Sequence, residues 1–177
     1  MSARLLTAPN LLSLSRLPLA VAFLLTTSTP LRLVIVVAAA ATDFVDGWWA
    51  RTRRAATTRL GAALDPITDK IFVLTALVSF AVDGVLSWPQ LLLLLARDIH
   101  VSLGAAALLA LRKRVEIRAR FAGKVVTTLQ LAAVLVLLLM PGAATVLVIV
   151  VAAAASWAIV DYTRAALAAL RAPAPPR

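Results

Sequence analysis

Asp43, Asp46, Asp65 and Asp69 are four of only eight acidic side chains in a chain of 177 residues, and they fall close together in an otherwise apolar stretch. If both runs are helical, Asp43, Asp46, Gly47 and Ala50 share one face at i, i+3, i+4 and i+7. Gly61, Asp65 and Asp69 recur at every fourth position of a second face. Two helices would then each turn two carboxylates towards a shared space. Carboxylates gathered in that way repel one another unless cations sit among them. The chain has no cysteine and a single histidine, which removes thiolate and imidazole-rich sites. Oxygen donors remain, and they favour a hard divalent ion such as Mg²⁺ or Mn²⁺. A purely structural role, with the four aspartates paired to nearby arginines, is disfavoured because burying that many carboxylates is costly and their spacing is regular.

The elements that must carry these residues are membrane helices. With 62% hydrophobic residues and a mean hydropathy of +0.96, the chain is more apolar than a soluble globular domain. A spanning helix takes about 20 residues, so six spans use most of the length and leave only short loops. The expected fold is all-α and integral to the membrane: six transmembrane helices with a short N-terminal interfacial helix, forming a single domain over residues 1–170. The Pro-rich end, 171–177, reads as a disordered tail. The apolar run from Leu11 to Leu25 resembles a signal peptide, but Arg16 interrupts it, no small-x-small cleavage site precedes Thr26, and many hydrophobic segments follow. It reads instead as an interfacial helix leading into a first span over about 9–27. Further spans are expected over about 31–53, 61–83, 90–111, 121–140 and 144–167. Pro66 is tolerable only near a helix start, which makes helix geometry around Asp65 doubtful. Asp83-Gly84 and Trp88-Pro89 mark the turn before the fourth span.

Charge orients these spans. Arg4, the Arg51 to Arg59 loop, the Arg112 to Lys124 loop, Arg164, Arg171 and Arg177 all fall on one side, and Arg32 is the only basic residue on the other. The positive-inside rule places both termini and the aspartate motif at the cytoplasmic face of a bacterial-type inner or plasma membrane. The net charge of +10 therefore reports topology and attraction to anionic lipid or phosphorylated substrates, with no nucleic acid implied. Arg16, Arg97 and Lys124 are candidate ligands for substrate phosphates, because cations within apolar spans usually face a polar cavity. For Arg16 and Lys124 the alternative is snorkelling to the interface. Arg97 and Asp98 point about 100° apart around a helix, so each is expected to need a partner on another helix. His100 is expected to pack or hydrogen-bond within the bundle. An acidic cluster in a membrane also admits a divalent-cation transporter, which would leave the spacing of Gly47, Ala50, Arg51 and Gly61 without a reason.

That spacing resembles the signature of the CDP-alcohol phosphotransferases. The family pattern is Asp-x2-Asp-Gly-x2-Ala-Arg, eight or nine residues, then Gly-x3-Asp-x3-Asp. This chain reads Asp43-x2-Asp46-Gly47-x2-Ala50-Arg51, nine residues, then Gly61-x3-Asp65-x3-Asp69, and every defined position matches. The resemblance implies a six-helix membrane enzyme that transfers the phosphate-bearing group of a CDP-linked lipid or alcohol to an acceptor hydroxyl and releases CMP. By the same resemblance Asp43, Asp46 and Asp65 hold a two-metal site, Asp69 is the general base and shares metal ligation, and Gly47, Ala50, Arg51 and Gly61 line the CDP site.

Pro9-Asn10, Ser13, Arg16, Leu64-Asp65-Pro66, Asp69-Lys70, Arg97-Asp98 and Gly123-Lys124-x2-Thr127-x2-Gln130 look like the branch that makes phosphatidylglycerophosphate or cardiolipin from CDP-diacylglycerol. The implied partners are CDP-diacylglycerol, a glycerol-type acceptor and membrane lipid. Glycerol 3-phosphate is the favoured acceptor, followed by phosphatidylglycerol, then inositol phosphate or serine. Ala62 and Arg97-Asp98 depart from the Lys and Arg-Glu common in phosphatidylglycerophosphate synthases and lean towards the cardiolipin type. Members of the family often form homodimers, and the Ala-rich spans suit close helix packing.

Overall fold

Long runs of Leu, Val and Ala form helices in a membrane because a helix satisfies every backbone polar group within its own segment. A computed structural model describes residues 8–53, 59–110 and 121–171; the side chains at 8–12, 43–53, 59–66, 109, 169 and 171 lie outside that description. Six long helices follow one another: α1 (Ala8–Leu25), α2 (Thr29–Arg53), α3 (Arg59–Val82), α4 (Trp88–Ala110), α5 (Phe121–Leu139) and α6 (Ala144–Arg171). A single 3₁₀ turn, Pro141–Ala143, precedes α6, and no strand occurs among the described residues. Each helix lies within a few residues of its expected span. The helix α1 is continuous from Ala8 even though Pro18 lies inside it. The basic start with its expected interfacial helix, most of the two basic connections and the Pro-rich tail lie outside the described residues.

The helix ends follow from local chemistry. Gly84 takes a positive φ of 76°, and Val85 and Leu86 donate their N–H groups back to the Phe80 carbonyl at 2.9 and 3.1 Å. Such a left-handed residue closes a helix and favours glycine. Ser87 then caps α4: its Oγ accepts from Gln90 N at 3.4 Å, while its N–H donates to Gln90 Oε1 at 2.8 Å. This reciprocal capping box explains why α4 starts at Trp88, two residues before the expected span.

Among the described residues, three helical segments are long and apolar enough to cross a membrane: Trp88–Leu108, Phe121–Leu139 and Pro141–Ala168. Ser13–Leu25 and Thr29–Thr42 are shorter apolar segments. The chain divides into two compact units. The first comprises residues 1–86 and 134–141, and in it α1 packs against both α2 and α3. Phe23 is fully buried at its centre and meets Phe72 and Phe80 edge-on at 6.2 and 5.9 Å. The second comprises residues 87–133 and 142–177, where α4 packs against α6. Ala122, Val126 and Ala158 form a buried cluster there, and the two alanines let the backbones approach closely. Large apolar side chains including Val34, Val37, Leu103, Val146 and Ile149 are exposed, as lipid-facing surface requires.

Candidate active site

Asp43, Asp46, Gly47, Ala50 and Arg51 all lie on α2, and Gly61, Asp65 and Asp69 all lie on α3. The helical condition behind the expected registers is therefore met on both runs. Doubt about the geometry at Pro66 is corrected: α3 begins at Arg59 and runs through Pro66 without a break. Pro66 is the eighth residue of α3, past the first turn, so its missing N–H removes one intrahelical bond. Of the four aspartates only Asp69 has a described side chain, and the described residues contain no group of three or more acidic or histidine ligands. The donor set suits a hard divalent ion in its chemistry, since carboxylate oxygens at helical spacing are the ligands such ions take.

Asp69 is half-exposed, and its Oδ1 lies 3.7 Å from Nη1 of Arg16 on α1. Arg16 is buried, with 2% of its surface exposed, so snorkelling is overturned for this residue. The aliphatic stem and the guanidinium are both packed inside the first unit, and α3 supplies the counter-charge. An arginine buried beside a carboxylate provides a positive charge that does not titrate away. Thr68, the neighbour of Asp69, is also buried.

The second unit holds the other polar cluster. Arg97 is buried on α4, and its Nη1 donates to Asp98 Oδ1 at 2.7 Å. The two adjacent residues thus pair directly, contrary to expectation, because the long arginine stem curls around the helix and closes the angular gap. The expected partners on other helices are also present. Arg97 Nη2 donates to Tyr162 Oη on α6 at 3.3 Å, and Asp98 Oδ2 accepts from Gln130 Nε2 on α5 at 2.8 Å. Gln130 Nε2 also donates to the Leu94 carbonyl at 2.8 Å. His100 hydrogen-bonds Thr163 Oγ1 through Nε2 at 3.0 Å, as expected, but on an exposed face. Lys124 is exposed near the start of α5.

Two features went unread in the sequence. Arg32, the sole basic residue on its side, is buried and pairs with Asp83, while its Nη2 donates to Ser79 Oγ at 2.6 Å. Opposite charges at adjoining ends of the second and third spans were the available signal. Tyr162, the chain's single tyrosine, had no nearby motif to mark it.

The family model for CDP-alcohol phosphatidyltransferases matches residues 6–160. The chain belongs to the CDP-alcohol phosphatidyltransferase family. It is 40% identical over 103 residues to a CDP-diacylglycerol–glycerol-3-phosphate 3-phosphatidyltransferase of Yersinia enterocolitica, a match covering 57% of this chain and 56% of that protein. It is 38% identical over 135 residues to the protein of that name from Pectobacterium atrosepticum, covering 71% and 73%. A putative cardiolipin synthase of Mycobacterium tuberculosis is 34% identical over 128 residues, covering 70% and 60%. The chain thus spans little more than half the length of the Yersinia relative.

Proposed function

We propose that the chain is an integral membrane phosphatidyltransferase that moves the phosphatidyl group of CDP-diacylglycerol to glycerol 3-phosphate and releases CMP. The observation that carries this reading is the complete signature from Asp43 to Asp69, on two helices, inside a family match that runs through residues 6–160. That match crosses both compact units, which supports one catalytic domain over residues 1–170. Six spans with both termini and the motif at the cytoplasmic face belong to the same reading, supported by six long helices, three of them with segments long and apolar enough to cross a membrane, and by the one-sided distribution of basic residues in the sequence. A homodimer is part of the same reading, on the exposed small-residue and apolar helix surface.

Asp43, Asp46, Asp65 and Asp69 would hold a pair of Mg²⁺ or Mn²⁺ ions, whose charge would offset that of the diphosphate. Gly47, Ala50 and Gly61 leave room for the cytidine diphosphate, and Arg51 pairs with its phosphates. Asp69 accepts the proton of the acceptor hydroxyl as that oxygen bonds to the phosphatidyl phosphorus. The bond from phosphorus to the CMP oxygen breaks, and CMP leaves with the electron pair. Arg16, Arg97 and Lys124 supply positive charge for substrate phosphates, Arg16 from beside Asp69.

A second reading, cardiolipin synthesis with phosphatidylglycerol as acceptor, draws on Ala62, Arg97-Asp98 and the mycobacterial relatives. Purified protein in detergent, given CDP-diacylglycerol, Mn²⁺ and one acceptor at a time, separates the two. Phosphatidylglycerophosphate formed with glycerol 3-phosphate supports the first reading; cardiolipin formed only with phosphatidylglycerol replaces it with the second. Metal uptake into liposomes without CMP release would support the transporter instead.

A further inference from the structure

At the ends of α2 and α3 away from the signature, the first unit holds an open cavity of about 360 Å³. That volume is in the range of small-molecule sites, about 300–1,000 Å³. Thr27, Thr29, Arg32 and Asp83 give it polar edges, and Phe80 and Leu138 form an apolar wall. Arg32 is buried, and each of its three nitrogens already has a protein partner. Nε donates to the Phe23 carbonyl at 3.3 Å, Nη2 to Ser79 Oγ at 2.6 Å and Nη1 to Asp83 Oδ2. The guanidinium thus serves to fix the Asp83 carboxylate at the edge of the cavity. The other carboxylate oxygen, Oδ1, has no hydrogen-bond partner among the described residues, and the side chain is 25% exposed. The hydroxyls of Thr27 and Thr29, both exposed residues, are likewise unpartnered among the described residues. An ionised carboxylate only accepts and a hydroxyl can accept, so this set suits a cation carrying several N–H donors.

We propose that this cavity is a headgroup site for a phospholipid ending in a primary ammonium, whose N–H groups donate to Asp83 Oδ1 and to the Thr27 and Thr29 hydroxyls. Charge complementarity selects the ammonium, because Arg32 is buried and engaged by the protein while Asp83 is the charge that reaches the surface. The lipid's phosphate meets the start of α2. There the N–H groups of Thr29 and Leu31 precede the bond from Arg32 N to the Ser28 carbonyl at 2.9 Å and have no acceptor within the helix. A lipid fits better than a soluble amine, since Leu31, Leu139 and Met140, next in sequence to the lining residues, are exposed apolar surface for its chains. A quaternary ammonium carries the same charge without an N–H and leaves the acceptors unmet. The site is separate from the transfer chemistry: Arg32 and Asp46 are fourteen residues apart on α2, roughly 21 Å along the axis. Its occupancy braces the ion pair that ties the two signature helices together.

The test is a titration of the delipidated full chain in detergent with phosphatidylethanolamine, phosphatidylcholine or phosphatidylglycerol of identical acyl chains, read by native mass spectrometry and by Tm. Phosphatidylethanolamine binds one to one and raises Tm. Phosphatidylcholine binds about tenfold more weakly, the scale of a lost charge-assisted hydrogen bond. Thr27→Val combined with Thr29→Val removes both hydroxyls at nearly constant volume and weakens phosphatidylethanolamine by about the same factor. Val85→Phe fills the cavity that Val85 lines. Arg32→Met with Asp83→Leu removes the carboxylate without stranding the guanidinium. Each of these two changes abolishes the preference for phosphatidylethanolamine over phosphatidylcholine. Equal binding of the three lipids, tighter binding of phosphatidylglycerol, or a preference that survives these variants overturns the proposal. Phosphoethanolamine without chains that binds as tightly as the lipid overturns the lipid source.

Discussion

In the proposed mechanism Asp69 takes a proton among metal-binding aspartates, where position counts for more than basicity, and Arg16 lies beside it. The ion pair at 3.7 Å joins α1 to the last aspartate of the signature. Replacing Asp69 by Asn would remove the proposed base, and turnover should fall by about 10²–10⁴-fold. Mn²⁺ binding, followed by electron paramagnetic resonance, should be less affected. Arg16→Met should act mainly on kcat, by about 10²-fold, the scale of a misplacement of about 1 Å at a reacting group. A change confined to the acceptor KM would instead make Arg16 a substrate ligand only. At this scale the sequence marked the aspartates, Arg16 and Arg97 as candidates, because charge in an apolar span is conspicuous. It did not disclose how Arg97 pairs. The 100° between successive helix positions describes Cβ directions, whereas an arginine stem is long enough to bend back, and its partner Tyr162 lies 65 residues away.

Among the elements, α2 and α3 are tied at the ends away from the signature. Arg32, near the start of α2, pairs with Asp83, bonds Ser79 and the Phe23 carbonyl, and lies over the Phe23 ring at 4.9 Å. This clamp fixes the two helices that carry the aspartates. Asp83→Asn strands a buried guanidinium and should cost about 3–5 kcal/mol, read as a lower Tm in detergent. Arg32→Met combined with Asp83→Leu should recover much of that loss, because an apolar pair needs no counter-charge. A single Asp83→Asn change with an unaltered Tm would contradict the clamp. Helix ends were legible where turn chemistry is strong, as at Gly84. The start of α4 was misread by two residues because the Ser87 capping box outweighs the proline that follows Trp88.

For the whole molecule, hydropathy gave the helices and their order, since apolar length is all that a span needs. The division into two units was not legible, because hydropathy reports which segments are apolar and not which of them pack together. Topology remains a matter of charge, and the natural absence of cysteine makes it measurable. A cysteine at Ser87 should react with an impermeant maleimide from outside intact cells, whereas one at Thr57 should react only after permeabilisation. The reverse pattern would turn the signature to the wrong face. The most direct test of the proposed chemistry is the yield of CMP and lipid when purified protein meets CDP-diacylglycerol and glycerol 3-phosphate with Mn²⁺. CMP and phosphatidylglycerophosphate should form one for one, only with the metal present, and should disappear in Asp69→Asn. No CMP with any acceptor, or CMP release that survives both chelation and Asp69→Asn, would contradict it.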